Sequence, residues 1–175
     1  MGDPAVAVTE PSTSGENKER ALSALSQFVQ QGALRDGEHD VRTAPAAELI
    51  TVGEDGFPFC CLLSRRQLTV RQRAVVALVH GRRPNAQLGA RGVATLSFVH
   101  DNAFVLARLS VESSRPSASG TIWTFNLVGG EVDSRAELLR PISYAAPALD
   151  RAEGDSIDEL LDREGGGHED RARAE

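Results

Sequence analysis

Residues 48–64, ELITVGEDGFPFCCLLS, set two apolar runs on either side of Asp55-Gly56. Asp-Gly supplies the positive φ angles that a tight primed turn needs, so the stretch predicts a β-hairpin. The same short-run pattern continues along the chain. RAVVALVH (73–80) reads as a third strand, apolar on both faces and hence expected to be central. VATLSFVH (93–100) and AFVLARLSVES (103–113) read as a fourth and fifth, joined by a turn at Asp101-Asn102. TIWTFNLVGGEV (121–132) reads as a sixth, with a bulge or bend at Gly129-Gly130, and PISYAAPAL adds a short extended piece. One short helix falls between the third and fourth strands. Five or six antiparallel strands with so little helix predict a mainly β small barrel or sandwich, not a parallel α/β sheet.

Helical signals flank this core. Thr13-Ser-Gly-Glu16 fits a capping box, and Leu22, Leu25, Phe28 and Val29 then recur at helical spacing, predicting a helix over 16–31. Ser156-Ile-Asp-Glu159 is a second capping box, opening a short helix whose Ile157, Leu160 and Leu161 need a surface to pack on. Residues 1–15 read as a disordered leader, 16–150 as the folded domain, and 151–175 as an acidic tail with that short helix. The tail is expected to be a solubilising end, the alternative being that it folds over a partner subunit.

The absence of a long apolar run or an export pattern leads to the expectation of a cytoplasmic protein with no membrane partner. Cys60 and Cys61 are adjacent, too close for an ordinary disulfide, and strand alternation lets only one face the core. Both are read as packing residues, and no spacing suits a metal site. Of the histidines, His80 and His100 end predicted strands. A pI near 5.3, few aromatics and no recognisable motif argue against nucleic acid.

Charge distribution is more informative than the net −6. Residues 56–108 hold eight arginines (65, 66, 71, 73, 82, 83, 91 and 108) against one acid, Asp101. Such a basic middle suits an anionic ligand, or arginines that simply fringe the ends of strands. Arg108, between apolar strand neighbours, is expected to face solvent or a subunit interface. Within HGRRPNAQLGARG (80–92), Pro84 is placed to be the first residue of a helix that Gly89 or Gly92 closes. The free amides of that turn, with Arg82 and Arg83 just before it, can hold a phosphate.

The order of parts then becomes recognisable: a strand, E-D-G-F-P, a strand ending LLS, an apolar strand, GRRPNAQLGARG, and VATLSFV. It resembles the pyridoxamine 5′-phosphate oxidase-like family of FMN-binding split barrels over about residues 45–112, more loosely through Trp123 and Phe125. The resemblance implies a six-stranded antiparallel split barrel with a few short helices, a homodimer with FMN in clefts between subunits, and flavin-dependent redox chemistry on a small molecule. It implies that the second strand (58–64), including Leu63, lies beside the isoalloxazine, with Ser64 donating to the ring or ribityl chain. It puts the phosphate on Arg83, supported by Arg82 and Gln87. Where the family pattern G-S-R-T-x-A-N-L has serine, threonine and asparagine, this chain has Arg82, Pro84 and Gln87. Those departures keep open a non-catalytic protein that holds flavin, deazaflavin or haem, with His80 and His100 as the haem candidates.

Overall fold

The computed structural model describes residues 14–33, 44–134, 143–144 and 157–165. Thr13 and Ser156, which complete the two expected capping boxes, lie outside the described residues, as do the leader and most of the tail.

Helix α1 spans Ser14–Ala33, β1 Ala44–Val52 and β2 Pro58–Ser64. A single 3-10 turn, Arg65–Gln67, leads into β3 (Leu68–Arg71) and β4 (Ala74–Val79). Helix α2 (Arg82–Arg91) follows, then β5 (Val93–His100), β6 (Ala103–Ser117), β7 (Gly120–Asp133), β8 (Ser143–Tyr144) and helix α3 (Ile157–Gly165). Seven strands hydrogen-bond in the order β2-β1-β5-β6-β7-β4-β3, and the two-residue β8 pairs with β1. Every pairing is antiparallel. The two edges, β2 and β3, do not pair with each other, so the curled sheet is a half-closed, split barrel.

The expected six strands are thus corrected to seven along the main path. The addition is β3, and its turn explains why it was hidden. Gln72 and Arg73 link Arg71 to its partner Ala74 with φ of 49° and 70°. This is the primed two-residue geometry that Asn-Gly normally occupies, here built from residues that carry no turn signature. Asp101-Asn102 (φ 47° and 59°) forms the same kind of turn with residues that tolerate it. The Asp55-Gly56 turn differs from the primed form. Gly56 N–H donates to Gly53 O at 3.1 Å, and only Gly56 has positive φ, at 78°. Gly53 N–H then donates to Phe57 O at 3.1 Å, so the loop is three residues long and ends in a glycine bulge.

β4 is not central; it lies between β7 and edge strand β3. Its apolar character on both faces has another cause. Val75, Ala77 and Val79 point into the main core, whereas Val76 and Leu78 join Ile122 beneath Ile157, Leu160 and Leu161 of α3. The C-terminal helix therefore packs on its own sheet, and Arg71 anchors it with ion pairs to Asp158 and Asp162, both 3.0 Å. The main core gathers Leu49, Leu63, Leu96, Phe98, Leu109, Phe125 and the apolar face of α1. Phe28 of α1 is fully buried, its ring 4.8 Å from that of Phe98. Such burial contributes roughly 2–3 kcal/mol.

The expected irregularity near Gly129-Gly130 is present. Arg108 pairs with Gly129 and Leu109 with Leu127, leaving Val128 as the extra residue of a bulge. Gly130 serves a different purpose: α1 lies so close that a Cβ there would sit 2.4 Å from Ala21 Cβ.

Candidate functional site

In space, most of the basic stretch is matched by partners from outside it. Arg71 pairs with Asp158 and Asp162, Arg73 with Glu19, and Arg108, exposed, with Glu131. Arg91 donates to Gly53 O at 3.1 Å, and the Arg65 guanidinium lies 4.5 Å from the centre of the Phe28 ring. Arg66, Arg82 and Arg83 make no ion pair among the described residues. Two of these three are consecutive, at the start of one helix.

That helix begins earlier than the proline suggests. Gly81, with φ 90°, is the N-cap, so Arg82 and Arg83 are the first two helical residues and Pro84 the third. Proline is tolerated throughout the first turn because those N–H groups have no intrahelical acceptor. Gly81 has no side chain to cap the turn, and no acidic residue lies in it. The amides of Gly81, Arg82 and Arg83 therefore have no intrahelical or side-chain acceptor, and they lie at the positive end of the helix with two guanidinium-bearing residues. Local electrostatics disfavours cations at that end. Such a conflict is typical of a site shaped for an anion, which would satisfy the amides and both charges together. Gly92 closes the helix with φ 66°, its N–H donating to Leu88 O at 2.9 Å.

The geometry separates the expected site residues. Arg82 is exposed, while Arg83 is exposed but leans on β2, its Cζ 4.9 Å from the centre of the Phe59 ring. Gln87 is turned inward: its Oε1 accepts from Thr51 Oγ1 at 2.5 Å, beneath the β1–β2 hairpin. Gln87 thus fixes α2 to β1, as Arg91 fixes it to Gly53. Pro84 is buried and offers no donor. Leu63 is a core residue, 2% exposed, so only its backbone can face a ligand. Ser64 lies on the opposite face of the strand and caps the 3-10 turn: its buried Oγ meets the Gln67 backbone N–H, and its own N–H donates to Gln67 Oε1 at 2.9 Å. Four residues of β2 lie between Phe59 and Ser64, a span of about 17 Å at strand rise. Among the described residues β2 is an edge strand paired only with β1, so part of its backbone is open there to a flat ligand.

The other polar candidates are sealed. His80 Nδ1 contacts Ser119 O, and its Nε2 is buried. His100 is 5% exposed, its ring edge-on to Phe28 at 6.4 Å, with Nε2 3.3 Å from Asp101 Oδ2. Neither presents an open Nε2 to an iron. Burial holds the His100 pKa below its usual range; Asp101 opposes that shift and Arg65 adds to it. The unfolded chain, with an ordinary histidine near 6.5, binds a proton that the folded protein resists. Stability is therefore full above about pH 6.5 and falls as the pH drops below it. Melting temperatures measured between pH 7 and 5 should fall more steeply for the wild type than for His100→Gln; equal slopes would remove His100 as the cause.

Cys61 faces inward, with Sγ 3.7 Å from Leu49 O, and burial, with Cys60 beside it, pushes its thiol up to about 11. Cys60 is exposed on the other face, its pKa raised by burial and then by Glu48. Neither is a ready thiolate.

The contact between Asn85 and Trp123 is not among the expectations drawn from the sequence. Trp123 Nε1 donates to Asn85 Oδ1 at 2.7 Å, and Asn85 Nδ2 donates to Val79 O and Gly81 O at 3.2 and 2.8 Å. The pair is 38 residues apart in sequence, and no spacing rule joins them. A lone tryptophan on an apolar strand, facing the loop, was the only available signal.

Among the described residues, no helix is long and apolar enough to cross a membrane. Neither a family model nor a curated protein sequence matches the chain. Solved structures do resemble it. An FMN-binding protein from Syntrophomonas wolfei is 11% identical, covering 70% of this chain and 90% of that one, with a TM-score of 0.49. The styrene monooxygenase flavin reductase of Pseudomonas putida S12 is 14% identical, covering 59% and 87%, with a TM-score of 0.47. An F420 reductase is 13% identical, covering 52% and 92%, with a TM-score of 0.43. At such identities, residue roles have to be read from this chain's own geometry.

Proposed function

We propose that this protein binds FMN along β2, with the phosphate on the first turn of α2, and serves as a flavin-dependent oxidoreductase for a small molecule. The observation that carries this reading is the uncapped helix start bearing Arg82 and Arg83, two cations with no carboxylate partner among the described residues. Their donors suit a phosphate monoester: a guanidinium binds two oxygens at once, and the turn's amides can meet the third. Arg83 is the first contact and Arg82 the second, while Gln87 acts through Thr51 by holding the helix in place. The Ser64 hydroxyl, buried where β2 ends, suits a polar group on the ribityl chain or ring, and the β2 backbone near Leu63 suits the ring edge. When bound, the flavin supplies the hydride chemistry; this chain places it and shapes the cleft.

A homodimer belongs to the same proposal. One face of the sheet leaves Val52, Leu62 and Val93 exposed at 39%, 46% and 51%. A second copy covering that face would bury these side chains and wall the ligand along β2. The two free cysteines suit the reducing cytoplasm. A second reading, a non-catalytic holder of flavin or deazaflavin, is favoured by Pro84, which removes a donor from the phosphate turn. Haem is disfavoured by the sealed Nε2 atoms of His80 and His100.

Size-exclusion chromatography with light scattering and an absorption spectrum tests these readings together. The expected result is a species of twice the chain's 18.7 kDa that carries flavin bands or takes up added FMN. Bleaching of those bands by a reduced nicotinamide supports the enzyme; bands that persist support the holder. A protein that stays colourless with excess FMN overturns both flavin readings.

A further inference from the structure

The turn that presents the anion-binding amides is held by a side chain with no assigned role. β4 ends at Val79, the chain reverses through His80 and Gly81, and α2 starts at Arg82. Asn85 spans this reversal from inside. Its Nδ2 donates to the carbonyls on both sides of His80, those of Val79 and Gly81, at 3.2 and 2.8 Å. Its Oδ1 accepts from the indole N–H of Trp123 at 2.7 Å. Three of the four hydrogen bonds that an asparagine amide can make are therefore in use. Trp123 is itself fixed: 5% exposed, opposite Ala77 on β4, and stacked on Phe125 with ring centres 6.4 Å apart. A Cβ on Gly89, one helical turn beyond Asn85, would come within 4.0 Å of the indole, so α2 lies along that ring.

We infer that Asn85 is the positioning residue of the phosphate turn, and that it couples the sole tryptophan to whatever binds there. The amide fixes the Gly81 peptide, whose φ of 90° only glycine adopts readily, and that peptide sets the direction of the Arg82 and Arg83 amides. The indole fixes the amide in turn, because its N–H can bond only the oxygen end. An anion that tightens on the turn pulls on the Gly81 carbonyl, and the pull reaches the indole through one side chain. This inference rests on the proposed phosphate site and adds how that site is held and how its occupation can be read.

Two measurements test it, with calorimetric FMN binding kept separate from tryptophan emission. Inorganic pyrophosphate is the emission probe, since it neither absorbs there nor accepts energy from the indole. The wild type is expected to show a saturable emission change with pyrophosphate. Asn85→Ala, with an unchanged far-ultraviolet circular dichroism spectrum, is expected to lose that change and to bind FMN about tenfold more weakly. Should Asn85→Ala not fold, Trp123→Phe removes the N–H donor together with part of the buried ring; about threefold weaker FMN binding is expected, with no emission readout. Wild-type affinity in the folded variant, or no emission response in a wild type that binds FMN, overturns the coupling and leaves the flavin reading intact. A wild type that binds neither FMN nor pyrophosphate overturns both.

Discussion

Gly130→Ala is expected to lower the unfolding free energy by about 2–3 kcal/mol, although it adds a single methyl group. The new Cβ would stand 2.4 Å from Ala21 Cβ and 3.0 Å from Asn17 O, and ordinary contact begins near 3.4 Å. Neither neighbour is the tip of a flexible side chain. One is a helix Cβ and the other a helix carbonyl, so all of α1 must move by about 1 Å to admit the methyl. That helix carries Leu25 and Phe28, both fully buried, and its displacement opens the core beneath it. The comparison that isolates the cause is Ala21→Gly. Alone it should cost about 1 kcal/mol through helix propensity. Combined with Gly130→Ala it should recover part of the loss, giving a non-additive double mutant. Gly129→Ala is the control: its Cβ would meet only Arg108 atoms, the nearest at 3.7 Å, and stability should hardly change. Urea unfolding of the four variants decides the matter, and additive effects would show that α1 does not bear on Gly130.

The features legible in the sequence were those written in local order. Alternating or continuous apolar runs located five of the strands closely, and Leu22, Leu25 and Phe28 marked the buried face of α1. β3 escaped because its four residues follow a 3-10 turn and precede a turn of Gln72 and Arg73, neither of which carries a turn signature. Charge misled for a related reason. Counted along the chain, eight arginines face one acid; in space, Arg71 meets Asp158 and Asp162 from 87 and 91 residues away. The fold subtracts such pairs and, among the described residues, leaves Arg66 and the adjacent Arg82 and Arg83. Reading Pro84 as the first helical residue put both arginines outside the helix, whereas they sit within its first turn. That shift of two residues turns neighbouring charges into charges opposed to the helix dipole. Gln87 was legible as a residue of the loop but not as a buried partner of Thr51, because that contact joins elements 36 residues apart.

The conflict at the helix start gives the sharpest expected result for the site. Arg83→Ala should weaken FMN binding at least tenfold, about 1.4 kcal/mol, while leaving the ligand-free protein as stable as before. Two small terms oppose each other in the free protein. Removing a cation from the first turn relieves roughly 0.3–1 kcal/mol of unfavourable interaction with the helix dipole. Removing the guanidinium from the Phe59 ring forfeits about 0.5–1 kcal/mol at an exposed site. They nearly cancel, so a fall in affinity at constant melting temperature marks a ligand contact and not a damaged fold. Arg83→Lys keeps the charge but loses the planar fork and its stacking, and should recover only part of the affinity. The Arg82→Ala, Arg83→Ala double variant should lose more than either single change, and its FMN affinity should depend less on salt than that of the wild type. Calorimetric titration at two ionic strengths measures all of this. Unchanged FMN affinity in Arg83→Ala would remove the residue from the phosphate and leave its position over Phe59 as packing alone.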